Sequence, residues 1–241
     1  MNKKIYFVMP AYNEEANIEE VVKQWYPIVK ECGPDCRLVV ANDGSKDKTW
    51  DKMQSLKDGR PQFIPLDKPN SGHGATVLYL YRYALENGAD YIFQTDSDGQ
   101  TDPKEFGAFL TKISDYDMQI GTRYAREDGF SRKVVTKTLK ALVWLMFGCV
   151  VKDANTPFRL MSAKSLAKVM EVIPEDFFLS NVAISAVATK WNMKIGWSPI
   201  TFRPRQGGVN SINMKRIFKI GVKAIGDFRI IRRNLKKAKQ K

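Results

Sequence analysis

Side chains that build metal cages and disulfide frameworks are scarce in this sequence. It holds three cysteines, Cys32, Cys36 and Cys149, and a single histidine, His73. The cysteines follow no metal-ligand spacing. Their odd number, with no charged-then-apolar leader at the N-terminus, predicts reduced thiols in a cytosolic compartment. Long hydrophobic runs are missing too. The longest, residues 141–151, is too short to span a bilayer and reads either as a buried helix or as an interfacial one. No segment repeats and no low-complexity linker interrupts the chain, so no domain boundary is expected before the C-terminal tail.

Acid is in short supply only locally. Residues 214–241 hold eleven Lys or Arg and one acid, Asp227. The whole sequence has 39 Lys or Arg and 26 Asp or Glu, so the remainder, with 28 and 25, is nearly balanced. The formal net charge of +13 therefore sits almost wholly in the tail. Met214, Ile217, Phe218, Gly221, Ile225, Phe228, Ile231 and Leu235 recur at helical spacing, with the basic residues largely off that stripe. Two compatible readings stand. The helix docks on an anionic membrane surface, or its stripe packs on the domain and its basic face is solvated. A basic module without catalytic activity is the alternative of another class. Nucleic acid is disfavoured as its partner, because the core carries no basic patch interleaved with aromatics.

What is present supports a packed core. With 241 residues, 44% of them hydrophobic and 11% aromatic, the chain can form one large α/β domain over 1–212, followed by the tail at 213–241. Apolar runs closed by turns predict strands near 5–9, 37–41, 62–66, 91–95 and 118–121. Helices are expected near 15–32, 48–57, 74–87 and 104–113. From residue 131 a long helix, a strand at 158–162, helices at 163–172 and 179–190 and a strand at 194–202 follow. Such alternation predicts a mostly parallel sheet with helices on both faces.

Three of these strands end in polar, acidic turns. Tyr91-Ile92-Phe93 leads into Thr95-Asp96-Ser97-Asp98-Gly99-Gln100, which puts two carboxylates at the carboxyl end of a strand. In an open α/β sheet ligands bind there. Carboxylates so placed can hold a hard divalent cation, and the cation a diphosphate. Asp115-Tyr116-Asp117 has the same spacing but no strand before it. The first strand runs into Pro10-Ala11-Tyr12-Asn13-Glu14. The second ends at Asn42-Asp43-Gly44-Ser45, where Ser45 or Asp47 can cap the next helix.

Met9-Pro10-Ala11-Tyr12-Asn13-Glu14, Asn42-Asp43-Gly44-Ser45, Asn70-Ser71-Gly72-His73-Gly74 and Asp96-Ser97-Asp98 together resemble the ordered motifs of family 2 glycosyltransferases. The likeness continues through Gly121-Thr122-Arg123-Tyr124 and residues 151–159 to residues 199–208. That later half is most similar to the polyprenyl-phosphate (dolichyl-phosphate) mannosyl- and glucosyltransferase branch. The resemblance implies an inverting enzyme of GT-A fold with a nucleoside-diphosphate sugar as donor and Mg2+ or Mn2+ as cofactor.

The resemblance also implies roles. Pro10, Ala11, Tyr12, Asn13 and Glu14 cradle the nucleoside, and Asp43 accepts hydrogen bonds from base or ribose. Gly72 and Gly74 permit close backbone approach before a helix N-terminus. Asp98 resembles the direct metal ligand, Asp96 the residue that meets ribose or the metal through water, and Gln100 a polar residue on the metal side. Arg123 adds positive charge in the same cleft. His73 reads as a turn residue without a chemical role. Many relatives carry a carboxylate general base where this chain has Ser180 and Asn181, with Glu175 and Asp176 as nearby substitutes. A phosphate monoester needs no such base, and Arg203, Arg205, Gly207, Gly208 and Ser211 are the candidates to bind it. The expected acceptor is a lipid phosphate at the cytoplasmic membrane face. The alternative is a hydroxyl of a lipid-linked or cell-surface glycan. A membrane-protein partner or a second copy of the chain is compatible with either.

Overall fold

The computed structural model describes residues 3–123, 130–203 and 214–238. One sheet of seven strands organises them, in the order β3-β2-β1-β4-β6-β5-β7. The strands are β1 (Ile5–Ala11), β2 (Arg37–Asp43), β3 (Phe63–Lys68), β4 (Tyr91–Gln94), β5 (Met118–Arg123), β6 (Arg159–Ser162) and β7 (Ile195–Ile200). The helices are α1 (Ile18–Cys32), α2 (Thr49–Ser55), α3 (His73–Glu86), α4 (Phe106–Leu110), α5 (Phe130–Phe147), α6 (Ala163–Met170), α7 (Ser180–Lys190) and α8 (Met214–Ala238). All pairings are parallel except those of β6, which runs against β4 and β5.

Strand β1 is buried along its whole length and alternates between two cores. Ile5, Phe7, Met9 and Ala11 face one core; Tyr6 and Val8 face the other. Helices α1, α2 and α4 contribute to the first, and α3, α5, α6, α7 and α8 to the second. In the first, Phe7, Phe93 and Phe106 meet with centroids 4.8–5.5 Å apart, in tilted and edge-on contacts. Right-handed crossovers explain the split. With α1 and α2 on one face, β2 and β3 are laid down to one side of β1. Helix α3 covers the opposite face, so β4 falls on the other side. The strand order thus reverses between β1 and β4, and a crevice opens at their carboxyl ends.

The helix expected over 104–113 is shorter. A single 3-10 turn, Pro103–Glu105, precedes α4. The buried Gln119 amide donates to the carbonyls of Phe109 and Lys112, and so takes acceptors that a longer helix would use. In the Asp115-Tyr116-Asp117 segment, Asp117 accepts from Ser165 Oγ and Lys194 N, a purely structural use. The tail stripe is not free. Phe228 is buried against Phe147 and Phe177, with centroids 5.3 and 5.5 Å away, and Ala224, Ile231 and Leu235 join the same core. The expected boundary at residue 212 therefore marks a change in charge, and the packing runs across it.

Candidate functional site

The turns after β1 and β2 are laced together. Asn13 takes a left-handed conformation, φ 53°, which its short polar side chain tolerates. Its N–H donates to Ser45 Oγ at 3.0 Å, and its Oδ1 accepts from Lys46 N at 2.8 Å. Glu14 N–H donates to Thr49 Oγ1 at 2.8 Å. Asp47 accepts from Thr49 N, at the first residue of α2, and from Glu15 N, while Ser45 serves the first turn. Pro10, Ala11 and Glu14 are buried and shape this wall; Tyr12 and Asn13 are the exposed members. Tyr12 is thus the aromatic face offered to a ligand.

Asp43 turns out to be an organiser of the next loop. Its side chain is almost wholly buried and accepts from Lys68 Nζ at 2.6 Å, Ser71 N at 2.8 Å and Gly72 N at 2.9 Å. Burial pushes its carboxyl up, but Lys68 and these donors outweigh it and hold the pKa below the ordinary value. Any base or ribose contact from Asp43 is shared with these donors. Gly72 has φ 87° and supplies the bend into α3. Gly74 serves a protein contact in place of the expected ligand approach. A Cβ there would stand 2.0 Å from Phe178 O and 2.4 Å from Phe177 O. The missing side chain lets the chain leading into α7 press on the start of α3.

Asp96 and Asp98 stand just past β4, at the crevice. Asp96 Oδ1 accepts from His73 Nε2 at 3.1 Å and from Gln94 Nε2 at 3.3 Å, and Gln94 in turn accepts from Tyr81 OH. His73, read from the sequence as a turn residue, thus meets Asp96, and its side chain stays 49% exposed. Partial desolvation lowers the imidazole's pKa, but Asp96, with Asp98 and Asp43 behind it, outweighs that and raises it. Asp98 Oδ1 accepts from Gln100 N at 3.1 Å. The Gln100 side chain is aimed elsewhere than expected. Its Nε2 donates to Arg203 O at 2.8 Å while Arg203 N donates to Gln100 O at 2.7 Å, so Gln100 ties the carboxylate turn to the chain after β7.

At the end of β5, Arg123 is not a free cation. Its Nε and Nη2 grip Asp153 at 2.9 and 2.6 Å, and its guanidinium lies 5.2 Å from the Phe202 ring centroid. Burial pushes the Asp153 carboxyl up, yet Arg123 more than offsets it and holds it below the ordinary value. Arg203 is engaged likewise, with Nη2 on Asp102. Arg205, Gly207, Gly208 and Ser211 lie outside the described residues.

Sequence reasoning missed Arg159. It is fully buried, beside Gln94 in the β4–β6 register. It donates to Thr156 O, Ala154 O, Asn181 O and Ser185 Oγ. Burial lowers its pKa to about 10, against the pull of Tyr81 and Asp153. It fastens residues 154–156 and the start of α7 to the strand beside β4. In the sequence it stands at the end of the motif at residues 151–159, between Phe158 and Leu160, with no role of its own assigned.

No carboxylate base stands at the start of α7. Ser180 and Asn181 are buried there. Glu175 has a side chain 84% exposed, 3.8 Å from Arg82 Nε. Arg82 lies nine residues along α3 from His73, or about 13 Å up the helix axis. The carboxylates at the crevice fit a divalent cation. Among the described residues no three His, Cys, Asp or Glu side chains form a ready-made cage. Two hard carboxylates at a strand end match a cation such as Mg2+ that keeps waters and completes its shell with substrate phosphates.

Comparisons with known proteins agree with this geometry. The model of the family described as "Glycosyl transferase family 2" matches residues 6–236. A polyprenol monophosphomannose synthase of Mycolicibacterium smegmatis is 24% identical over 219 residues, covering 87% of this chain and 81% of that protein. A UDP-N-acetylglucosamine–dolichyl-phosphate N-acetylglucosaminyltransferase of Methanococcus voltae is 26% identical over 219 residues, covering 83% and 85%. Among solved structures, glucosyl-3-phosphoglycerate synthase of Mycobacterium tuberculosis, in complex with Mn2+, uridine-diphosphate-glucose and phosphoglyceric acid, superposes with a TM-score of 0.69 at 17% identity. That match covers 95% of this chain and 80% of the other. The fold is accordingly of the GT-A type.

Proposed function

The chain belongs to glycosyltransferase family 2, and on that premise we propose that it moves a sugar from a nucleoside-diphosphate donor to a polyprenyl phosphate, with inversion at the anomeric carbon. The donor lies across the crevice between β1 and β4, with the base near Tyr12 and the diphosphate toward Asp96 and Asp98. A solved structure of the same fold holds Mn2+ and uridine-diphosphate-glucose, which supports a donor and a metal of this class. Asp98 and Asp96 hold a divalent cation, Mg2+ or Mn2+, whose charge stabilises the leaving nucleoside diphosphate. His73 and Gln94 occupy Asp96 Oδ1, which leaves Oδ2 to point at the ligand.

One observation carries the choice of acceptor: the first turn of α7 holds Ser180 and Asn181 and no acidic residue. A hydroxyl acceptor has to lose a proton as it attacks. A phosphate monoester is already ionised at neutral pH. Its oxygen forms the new bond to the anomeric carbon as the bond to the diphosphate breaks, and no proton moves. The relatives named for polyprenol and dolichyl phosphate favour the same acceptor class. A water-insoluble acceptor calls for a membrane surface, and the cytoplasmic face, with the enzyme peripheral to it, is the location proposed. No helix among the described residues is long and apolar enough to cross one.

A thermal-shift panel of nucleoside-diphosphate sugars, with and without Mn2+, tests the donor half. A ligand that binds only the folded state at a hundred times its Kd stabilises by about 2.7 kcal/mol. One donor is expected to raise the melting temperature clearly, and only with the metal. A flat panel across uridine, guanosine and thymidine donors argues against the reading.

A further inference from the structure

Of the apolar stripe of α8, one candidate for holding the protein on a membrane, Phe228, Ile231 and Leu235 are spent on the core, while Ile225 is exposed. A different apolar surface is exposed. Trp144 and Leu145, on the last turn of α5, are 61% and 69% exposed, and Val150 just beyond is 73% exposed. Ala141, Trp144 and Leu145 follow one face of the helix, opposite the buried Val143 and Phe147. Large apolar side chains clustered in the open mark an interaction site.

The surroundings say what kind of partner fits. From Phe130 to Lys152 the sequence has five Lys or Arg and no acid. Lys140, Lys152 and Lys190 are exposed, and Lys190 Nζ lies 3.8 Å from where a Cβ on Gly148 would stand. Helix α8, packed along α5, exposes Arg229, Arg232, Arg233, Lys236 and Lys237. An apolar knob on a basic surface matches an anionic bilayer, with burial and attraction acting together. Position fits as well. Val150 precedes Asp153 by three residues, so the two can be no more than ~11 Å apart. Asp153 is clasped to Arg123 at the end of β5. The knob is therefore next to the acceptor side of the cleft.

We infer that Trp144, Leu145 and Val150, flanked by these lysines and by the basic face of α8, form the surface that seats the enzyme on an anionic lipid bilayer, beside the mouth through which a lipid phosphate enters. This deepens the acceptor reading and rests on it.

The test compares the full chain with the double variant Trp144→Ser/Leu145→Ser, which removes only exposed groups. Both are sedimented with phosphatidylglycerol/phosphatidylcholine vesicles and with pure phosphatidylcholine vesicles, at low and high salt. The wild type is expected to sediment with the anionic vesicles, less so at high salt. The double variant is expected to bind them roughly tenfold more weakly or worse, with an unchanged melting temperature. Equal sedimentation of the two proteins overturns the assignment, as does a wild type that ignores anionic vesicles. A lipid-free wild-type dimer that the double variant breaks into monomers also overturns it, because the knob would then be an interface between copies. Transfer to a water-soluble, short-chain isoprenyl phosphate needs no bilayer and should be equal in both proteins. If neither transfers to it, the acceptor reading fails while the sedimentation result still decides the docking surface.

Discussion

At the scale of single residues, the site works by engagement. Asp96 is oriented through Oδ1, Asp43 pins the loop before α3, and Arg123 and Arg203 each hold a carboxylate. Asp98→Asn should keep the fold and lose transfer by roughly a hundredfold or more, since a neutral amide weakens the metal that offsets the leaving charge. Turnover at saturating donor and limiting Mn2+ checks this; wild-type rates in the variant would refute the assignment. Asp43 gives an acid signature. Its folded pKa lies below the ordinary 3.8, so its stabilisation is complete above that value. It is lost as pH falls through the lower folded value. Asp43→Asn should therefore flatten the loss of stability below about pH 4, measured by denaturant unfolding at stepped pH. These partnerships were illegible in the sequence because they span distance: Lys68 is 25 residues from Asp43, and Asp153 is 30 from Arg123. The positions of Asp96 and Asp98, by contrast, were legible, because a strand followed by two carboxylates needs only local pattern.

At the scale of elements, strand ends were readable and their directions were not. Apolar runs closed by Pro, Gly and Asp locate β1, β2 and β4 to within two residues, since the turn chemistry is local. That β6 runs antiparallel depends on where α5 returns the chain, which no local signal records. Helix α8 shows the same division. Its amphipathic period was plain, but what covered the stripe was decided by Phe147 and Phe177, far away in sequence. A chain ending at Ser211 would uncover that part of the core. It should melt at least several degrees lower than the full chain, because removing Phe228 alone forfeits packing of the kind that costs ~3–5 kcal/mol. Differential scanning calorimetry checks it; an unchanged melting temperature would mean that α8 is not part of the core.

At the scale of the whole molecule, the two cores divide the work. The core built by α1, α2 and α4 supports the wall formed after β1 and β2. The one built by α3, α5, α6, α7 and α8 backs the start of α7 and carries the basic surface. Arg159, buried at the β4–β6 junction, ties the start of α7 to the carboxylate strand. On the proposed function, this architecture delivers a sugar to a lipid phosphate, with no base needed. The purified enzyme, with Mn2+ and its labelled nucleotide sugar, is offered a polyprenyl phosphate and the matching polyprenol in parallel. Label is expected in the organic phase with the phosphate alone, as an acid-labile phosphodiester. Label passing to the free alcohol, with the phosphate inert, would contradict that function.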